Sequence, residues 1–205
     1  MAAPRERDST STRPALGAVL AGGAGRRLGG AKATAELGGR PLIRHPLAAL
    51  RAAGLESIVV AKPDTELPAL DCEVVLEPES PRHPLCGIVA ALRRADGRAL
   101  VVVACDMPLA APALLAELAA AAEPLVVPAP GGRTQPLQAR FGAELLPALE
   151  EALAREEPLR RTVESLGGRE LGDAELARFG DPDRLFLNVN DEGDLRRAER
   201  ALAVG

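Results

Sequence analysis

From Ala15 onward, short and almost wholly apolar runs alternate with longer amphipathic stretches, and this alternation constrains the fold more than any other feature of the chain. The apolar runs cover residues 16–21, 57–61, 73–77, 99–104, 125–128 and 137–141; Leu100-Val101-Val102-Val103 is the most strand-like of them. Between and after them, residues 41–53, 85–95, 112–122, 144–157 and 191–202 read as helices, with Pro41 suited to a first turn and Gly54 to a stop. Strands that are apolar on both faces belong in a parallel sheet covered by helices on both sides. The expectation is therefore an α/β chain: a single-domain, three-layer αβα Rossmann-like fold with a mostly parallel sheet. It should occupy residues 15–205, after a polar, Ser/Thr/Arg-rich lead-in over residues 1–14 that is expected to be disordered. Ligands of such folds sit at the carboxyl ends of the strands, so the residues just after each strand carry the functional question.

Composition narrows the classes. The 205 residues are 47% hydrophobic and 26% charged, enough for one domain with a real core. With 25 Lys+Arg against 29 Asp+Glu, the formal net charge is -4. Such a surface is not built to coat nucleic acid or an anionic membrane, although a local basic pocket for a small anion remains open to it. No apolar run reaches the roughly 20 residues that span a bilayer, and residues 5–13 contain no apolar segment of a secretory signal. Three cysteines, Cys72, Cys86 and Cys105, lack C-x-x-C spacing; they read as reduced, packed thiols of a cytoplasmic protein. There is no Trp or Tyr and there are three Phe, so Leu, Val and Ala must build the core. A bound nucleotide must then be read mainly by backbone and polar groups.

The first strand runs into Leu20-Ala21-Gly22-Gly23-Ala24-Gly25-Arg26-Arg27-Leu28-Gly29-Gly30-Ala31-Lys32. Glycines let a backbone approach an anion and turn N–H groups toward it. Arginine adds forked donors for phosphate oxygens, and lysine a mobile point charge. The segment fits a polyphosphate pocket; the bland alternative is a Gly/Arg-rich surface loop. It is not a P-loop, because Ala31 separates Gly30 from Lys32 and Ala33 follows the lysine. As a dinucleotide loop it offers Gly23 and Gly25, but Leu28 stands where the third glycine belongs.

Leu20-Ala21-Gly22-Gly23, Arg27-Leu28-Gly29, Lys32 and Gly39-Arg40-Pro41-Leu42-Ile43 together resemble the signature of the MobA-like nucleotidyltransferases, the molybdenum cofactor guanylyltransferase type. The resemblance extends over nearly all of residues 16–202. Leu28 replaces the family's usual Met, and Ala31 stands where an Asp commonly precedes the lysine. The resemblance implies transfer of GMP from GTP to the phosphate of molybdopterin, with release of pyrophosphate and with Mg²⁺ as cofactor. Leu20, Ala21, Gly22, Gly23, Lys32, Glu77 and Asp106 are the implied nucleotide-binding residues, and Lys32, Arg27 and Asp106 the catalytic ones. It also implies GTP and molybdopterin as the partners in binding, with neither nucleic acid nor membrane. Transient contact with molybdenum cofactor biosynthesis proteins or apo-molybdoenzymes is a further expectation.

Several positions carry two readings. Asp106, in Cys105-Asp106-Met107-Pro108 at a strand end, either holds a magnesium ion or caps a turn. The family's C-D-x-P segment implies the metal, with Cys105 a packed neighbour. In Asn188-Val189-Asn190-Asp191, Asn190 or Asp191 suits the N-cap of the last helix. By resemblance Asn190 is a second metal or phosphate contact and Asn188 an acceptor contact. The family continues with T-P, where this chain has Asp191-Glu192. Glu77 stands where the family has an Asp; it either accepts from the N1–H and N2 amino edge of guanine or is a solvated loop acid. Pro84-Leu85-Cys86-Gly87 matches P-L-A-G, while Ala61-Lys62 occupies the place of an Asn that contacts nucleotide. Arg133, Gln135, Arg160 and Arg161 are candidates for the anionic acceptor, the Arg160-Arg161 pair foremost, against a solvated helix face. His45 and His83 read as structural.

The L-A-G-G and P-L-x-G pattern resembles the guanylyl branch, the cytidylyl branch more often having L-A-A-G. CTP or another phosphorylated acceptor is the alternative. An NADP-binding oxidoreductase, with Lys62 as ribose reader, and a non-catalytic nucleotide sensor are readings of other classes. No hydride-transfer acid/base pair is visible for the first, and Lys32 together with Asp106 argues against the second.

Overall fold

The computed structural model describes residues 13–22 and 32–203; Gly23, Arg27 and residues 1–12 of the expected lead-in lie outside the described residues. Arg13, assigned to that lead-in, bonds the carbonyl (2.7 Å) and carboxylate (3.1 Å) of Asp96.

Strand β1 (Leu16–Leu20) is buried for most of its length because every residue is apolar or glycine. A Cβ at Gly17 would press on Leu50 and the Glu56 carbonyl, so glycine sets how closely the next helix packs. A ribbon of β2 (Glu36–Leu37) and β3 (Arg40–Pro41) follows, turned by Gly38 and Gly39 at φ +56° and +72°. Helix α1 (Arg44–Ala52) then leads to β4 (Ser57–Ala61) and β5 (Val74–Leu76). The helix expected from residue 41 thus begins later. Pro41 is spent in the ribbon, because two positive-φ glycines turn the chain back on itself before a helix can start.

Helix α2 (Pro84–Ala95) is capped by His83, whose Nδ1 accepts from the Leu85 N–H, with Pro84 in the first turn. There follow β6 (Leu100–Ala104), α3 (Pro112–Ala120), β7 (Leu125–Pro128), β8 (Gln138–Phe141), α4 (Leu146–Ala154), α5 (Leu159–Leu166), β9 (Arg169–Leu171), α6 (Asp173–Leu176), α7 (Pro182–Leu185) and α8 (Glu192–Ala203).

The seven-stranded sheet has the order β5-β4-β1-β6-β8-β7-β9. It is mostly parallel; β8 runs against both of its neighbours. One face is covered by α1 and α3, through Leu47, Leu50, Leu114 and Leu118 on Val59, Val101 and Val103. The other carries α2, α4 and α5, through Leu85, Ile88, Leu149 and Val163 on Ile58, Val60, Val102 and Phe141. The three-layer α/β expectation holds, with Leu, Val and Ala supplying most of the core. A third apolar cluster, Leu37, Leu42, Leu109, Leu187, Val189 and Ala198, fastens the ribbon and α8 across the end of the sheet. It is this cluster that brings the Asn188-Val189-Asn190 segment to the strand ends.

Candidate active site

The chain leaves β1 toward β4 on one side and later returns to place β6 on the other, so β1 is the topological switch point at which open α/β sheets bind ligands. A cleft of about 320 Å³ opens there. Leu20 lines it at the end of β1 with Ala21 and Gly22 just beyond, Lys62 after β4, Glu77 after β5, and Ala104 to Asp106 at the end of β6. Its rim is Arg82, His83, Pro84 and Gly87 around the start of α2, and Lys32 closes one end.

At that end the Lys32 ammonium donates to Asp106 Oδ2 at 2.7 Å and to Asn190 Oδ1 at 2.9 Å. Three segments far apart in sequence therefore meet on one nitrogen. The Val189 N–H donates to the Asp106 carbonyl at 2.8 Å, which locks the Asn188–Asn190 segment beside the strand end. Asp191 caps α8 by accepting from the Asp194 N–H at 2.9 Å, so Asn190 is released from capping and turned toward Lys32. Asp106 Oδ1 is buried and has no hydrogen-bond partner among the described residues. A buried carboxylate oxygen left without a donor costs free energy unless a cation meets it. No cluster of three or more His, Cys, Asp or Glu suited to a metal exists among the described residues. Cys105 is 5% exposed, and burial pushes its thiol up to about 12, so it is a packed neighbour and not a nucleophile.

At the other end the cleft narrows onto Glu77, 6% exposed. A Cβ on Gly22 would collide with Glu77 Oε1, and one on Gly87 would lie 3.3 Å from Oε2, so two glycines form the slot that holds the carboxylate. Burial pushes its pKa up, and the charge of Lys62, whose Nζ is 3.5 Å from Oε1, pulls it back. In sequence Lys62 stands as the replacement for an Asn and as the ribose reader of the oxidoreductase alternative; its pairing with Glu77 is visible only in the structure. Arg82, Pro84 and Leu137 also line the cleft without having been singled out as contacts, and His83 lines it while capping α2.

A second, wider cleft of about 620 Å³ adjoins Asn190. Gln135, Asn188, Asn190 and Arg197 line it together with Asp173, Asp181, Asp183 and Asp194. Leu20, Ala21, Gly22, Lys32, Glu77 and Asp106 are thus gathered in the first cleft, Asn188 in the second, and Asn190 between them. Arg160 and Arg161 are exposed on α5, where Arg161 Nε lies 3.8 Å from Glu157; among the described residues lining the two clefts neither appears. Arg133 is exposed and also outside both linings.

Comparison with known proteins places the chain among related sequences and folds. The chain is 34% identical over 195 residues to a probable molybdenum cofactor guanylyltransferase of Pelotomaculum thermopropionicum, covering 90% of this chain and 91% of the relative. It is 36% identical over 193 residues to a molybdenum cofactor guanylyltransferase of Cereibacter sphaeroides, covering 91% and 96%. The crystal structure of molybdopterin-guanine dinucleotide biosynthesis protein A from Archaeoglobus fulgidus superposes with a TM-score of 0.77 at 26% identity, over 93% of this chain and 100% of that one. The profile of the MobA-like NTP transferase domain matches residues 17–171. With that match and these relatives, the chain belongs to the MobA-like NTP transferase family.

Proposed function

We propose that this protein transfers GMP from GTP to the phosphate of molybdopterin, releasing pyrophosphate and forming the guanine dinucleotide of the molybdenum cofactor. The observation that carries this reading is the Lys32 ammonium, which joins Asp106 of the first cleft to Asn190, a wall of the second. The guanylyltransferase names of the relatives support it. A triphosphate in the first cleft and a phosphate in the second would face each other across that nitrogen.

In the reaction an oxygen of the acceptor phosphate bonds to the α-phosphorus, and the bond from that phosphorus to the bridging oxygen of pyrophosphate breaks. The electron pair leaves with pyrophosphate. A phosphate nucleophile is already ionised at neutral pH, so no general base is needed, and the work is alignment and charge neutralisation. The backbone after β1, at Ala21 and Gly22, would lie against the nucleotide, and the missing side chain at Gly22 leaves room for the Glu77 carboxylate, which a Cβ there would meet. Lys32 supplies positive charge where the charge of the phosphates builds. Arg27 carries the same role by resemblance. Asp106, through its unpaired Oδ1, and Asn190 would hold Mg²⁺, which when bound draws electron density from the phosphate oxygens.

Glu77 favours guanine over cytosine. A carboxylate only accepts hydrogen bonds, and guanine presents two parallel donors on one edge where cytosine presents one amino group. Lys62 is committed to Glu77 and two carbonyls, so it is not free to take the 2′-phosphate of NADP, and the oxidoreductase alternative loses its ribose reader. On the acceptor side, Asn188 lies in the adjoining cleft, while the Arg160-Arg161 pair would need to act from the surface of α5. Protein partners in the delivery of the cofactor belong to the same reading. No helix among the described residues is long and apolar enough to cross a membrane.

The test is incubation with GTP, Mg²⁺ and molybdopterin. Guanine dinucleotide and stoichiometric pyrophosphate are expected. Product formed from CTP in preference to GTP would overturn the base assignment, and no dinucleotide from either would overturn the reaction.

A further inference from the structure

Lys62 is buried to 3% exposure at the end of β4, where a solvated lysine head would be the rule. A charge in such a place is costly unless it is paired and its donors are used. The three donors of the ammonium meet the Pro78 carbonyl at 2.6 Å, the Pro81 carbonyl at 3.5 Å and Glu77 Oε1 at 3.5 Å. One nitrogen therefore ties a sheet strand to both ends of the loop 78–81 and to the carboxylate that faces the base. Cys86 of α2 adds a second hold on the same loop, its Sγ lying 3.3 Å from the Pro81 carbonyl. Among the described residues no other cation lies within ion-pair distance of Glu77.

We infer that Lys62 is a positioning residue for guanine recognition: it holds the Glu77 carboxylate as an oriented acceptor and pins the loop 78–81, so that both carboxylate oxygens serve the N1–H and N2 amino donors of the base. This rests on the GTP assignment above and assigns a role to the residue that replaces the family's Asn. The glycine slot fixes where the carboxylate lies; Lys62 fixes its charge and its tilt. Without the ammonium, burial favours the neutral acid, which exchanges an acceptor for a donor aimed at another donor. The charged and titratable groups around Glu77 are Lys62 from β4, Cys86 and the capping His83 from α2, Arg82 on the loop, and Lys32 and Asp106 across the cleft.

The test compares wild type, K62M, K62Q, E77Q and K62M/E77Q, each checked for folding by thermal melting. Dissociation constants for Mg²⁺-GTP and Mg²⁺-ITP are measured by calorimetry, and KM and kcat from neutral to mildly acidic pH. ITP lacks the N2 amino group but keeps N1–H, so the ratio of the two constants reads the N2 amino contact assigned to Glu77. K62M is expected to weaken GTP by about tenfold or more, the worth of a charged hydrogen bond, and to bring the GTP-to-ITP ratio toward one. Its effect falls on KM more than on kcat and deepens as pH falls. In an E77Q background, K62M is expected to add little further loss of discrimination. Wild-type GTP affinity and ITP discrimination in K62M, or full additivity in the double variant, would overturn the role. If K62M does not fold, K62Q carries the same readouts with neutral donors kept. Failure of K62Q to fold assigns Lys62 to stability alone and also overturns it. A wild type that binds neither nucleotide would remove the GTP assignment itself, whereas tight wild-type binding with unchanged Lys62 variants removes only the present inference.

Discussion

At the scale of single residues, Lys32 and Asp106 were legible in the sequence because each stands in a local motif, one after a glycine run and the other at a strand end. Their meeting on one nitrogen with Asn190 was not legible, since it depends on segments that only the sheet and the third apolar cluster bring together. The same holds for Lys62 and Glu77. Lys32→Ala is expected to lower kcat by about 10²- to 10³-fold, the usual loss on removing a group that stabilises transition-state charge. Lys32 lies in a partly exposed turn, so the melting temperature should change little. Pyrophosphate release measured against CD melting checks both halves. Asp106→Asn should raise the Mg²⁺ concentration needed for half-maximal rate, read from a metal titration at saturating GTP. His45 tests a structural assignment. Burial lowers its pKa, partly offset by the hydrogen bond that Nε2 donates to the Leu37 carbonyl at 3.0 Å. The unfolded chain therefore takes up a proton before the folded one, and stability should fall as pH drops below the ordinary histidine value of about 6.5. His45→Gln should flatten that part of the stability curve in urea titrations at several pH values.

At the scale of elements, the long apolar strands and α2 through α4 were readable from period and flanking breakers alone. β4 and β7 coincide with their expected bounds. The ribbon of β2 and β3 was not readable, because two residues per strand show no alternation and Pro41 resembles a helix start. Neither were α6, α7 and β9, which have four, four and three residues, too short to display a period. α5 escaped because Leu159, Thr162 and Val163 form its buried stripe in only eight residues. β9 joins the sheet beside β7 through a tight approach at its entry. A Cβ on Gly168 would lie 2.6 Å from Leu125 Cγ and 2.8 Å from the Leu125 carbonyl. Gly168→Ala should therefore destabilise the protein by about 1–3 kcal/mol, as overpacking does. The urea midpoint should shift with an unchanged slope, and activity per folded molecule at low temperature should stay near that of the wild type, because β9 is the edge strand, separated from β1 by β6, β8 and β7.

At the scale of the whole molecule, the sheet order sets the division of labour. The reversal at β1 makes one cleft from the ends of β1, β4, β5 and β6, and the segment between β7 and β8 with the C-terminal segment from Asp173 to Arg197 lines the other. A reaction between two phosphates needs its two substrates to approach from separate sides, and Asn190 stands where those sides meet. Asn190→Ala should then lower kcat more than it raises KM for GTP, because the base end of the first cleft is untouched. The acceptor offers a sharper discrimination. The Arg160-Arg161 pair stands foremost in sequence because it matches a similar Arg pair in the family, yet such a match does not say which face a helix turns to a cleft. α5 buries Leu159, Thr162 and Val163 and leaves both arginines in solvent. Asn188 instead lines the second cleft, its amide donating to the Phe186 carbonyl at 3.2 Å while its oxygen makes no hydrogen bond among the described residues. In steady-state assays with molybdopterin varied at saturating GTP, Asn188→Ala is expected to raise the acceptor KM severalfold, about 1 kcal/mol for one neutral hydrogen bond, and the double variant R160A/R161A to raise it less. The reverse order would place the acceptor against α5 and would mean that the second cleft serves something other than the attacking phosphate.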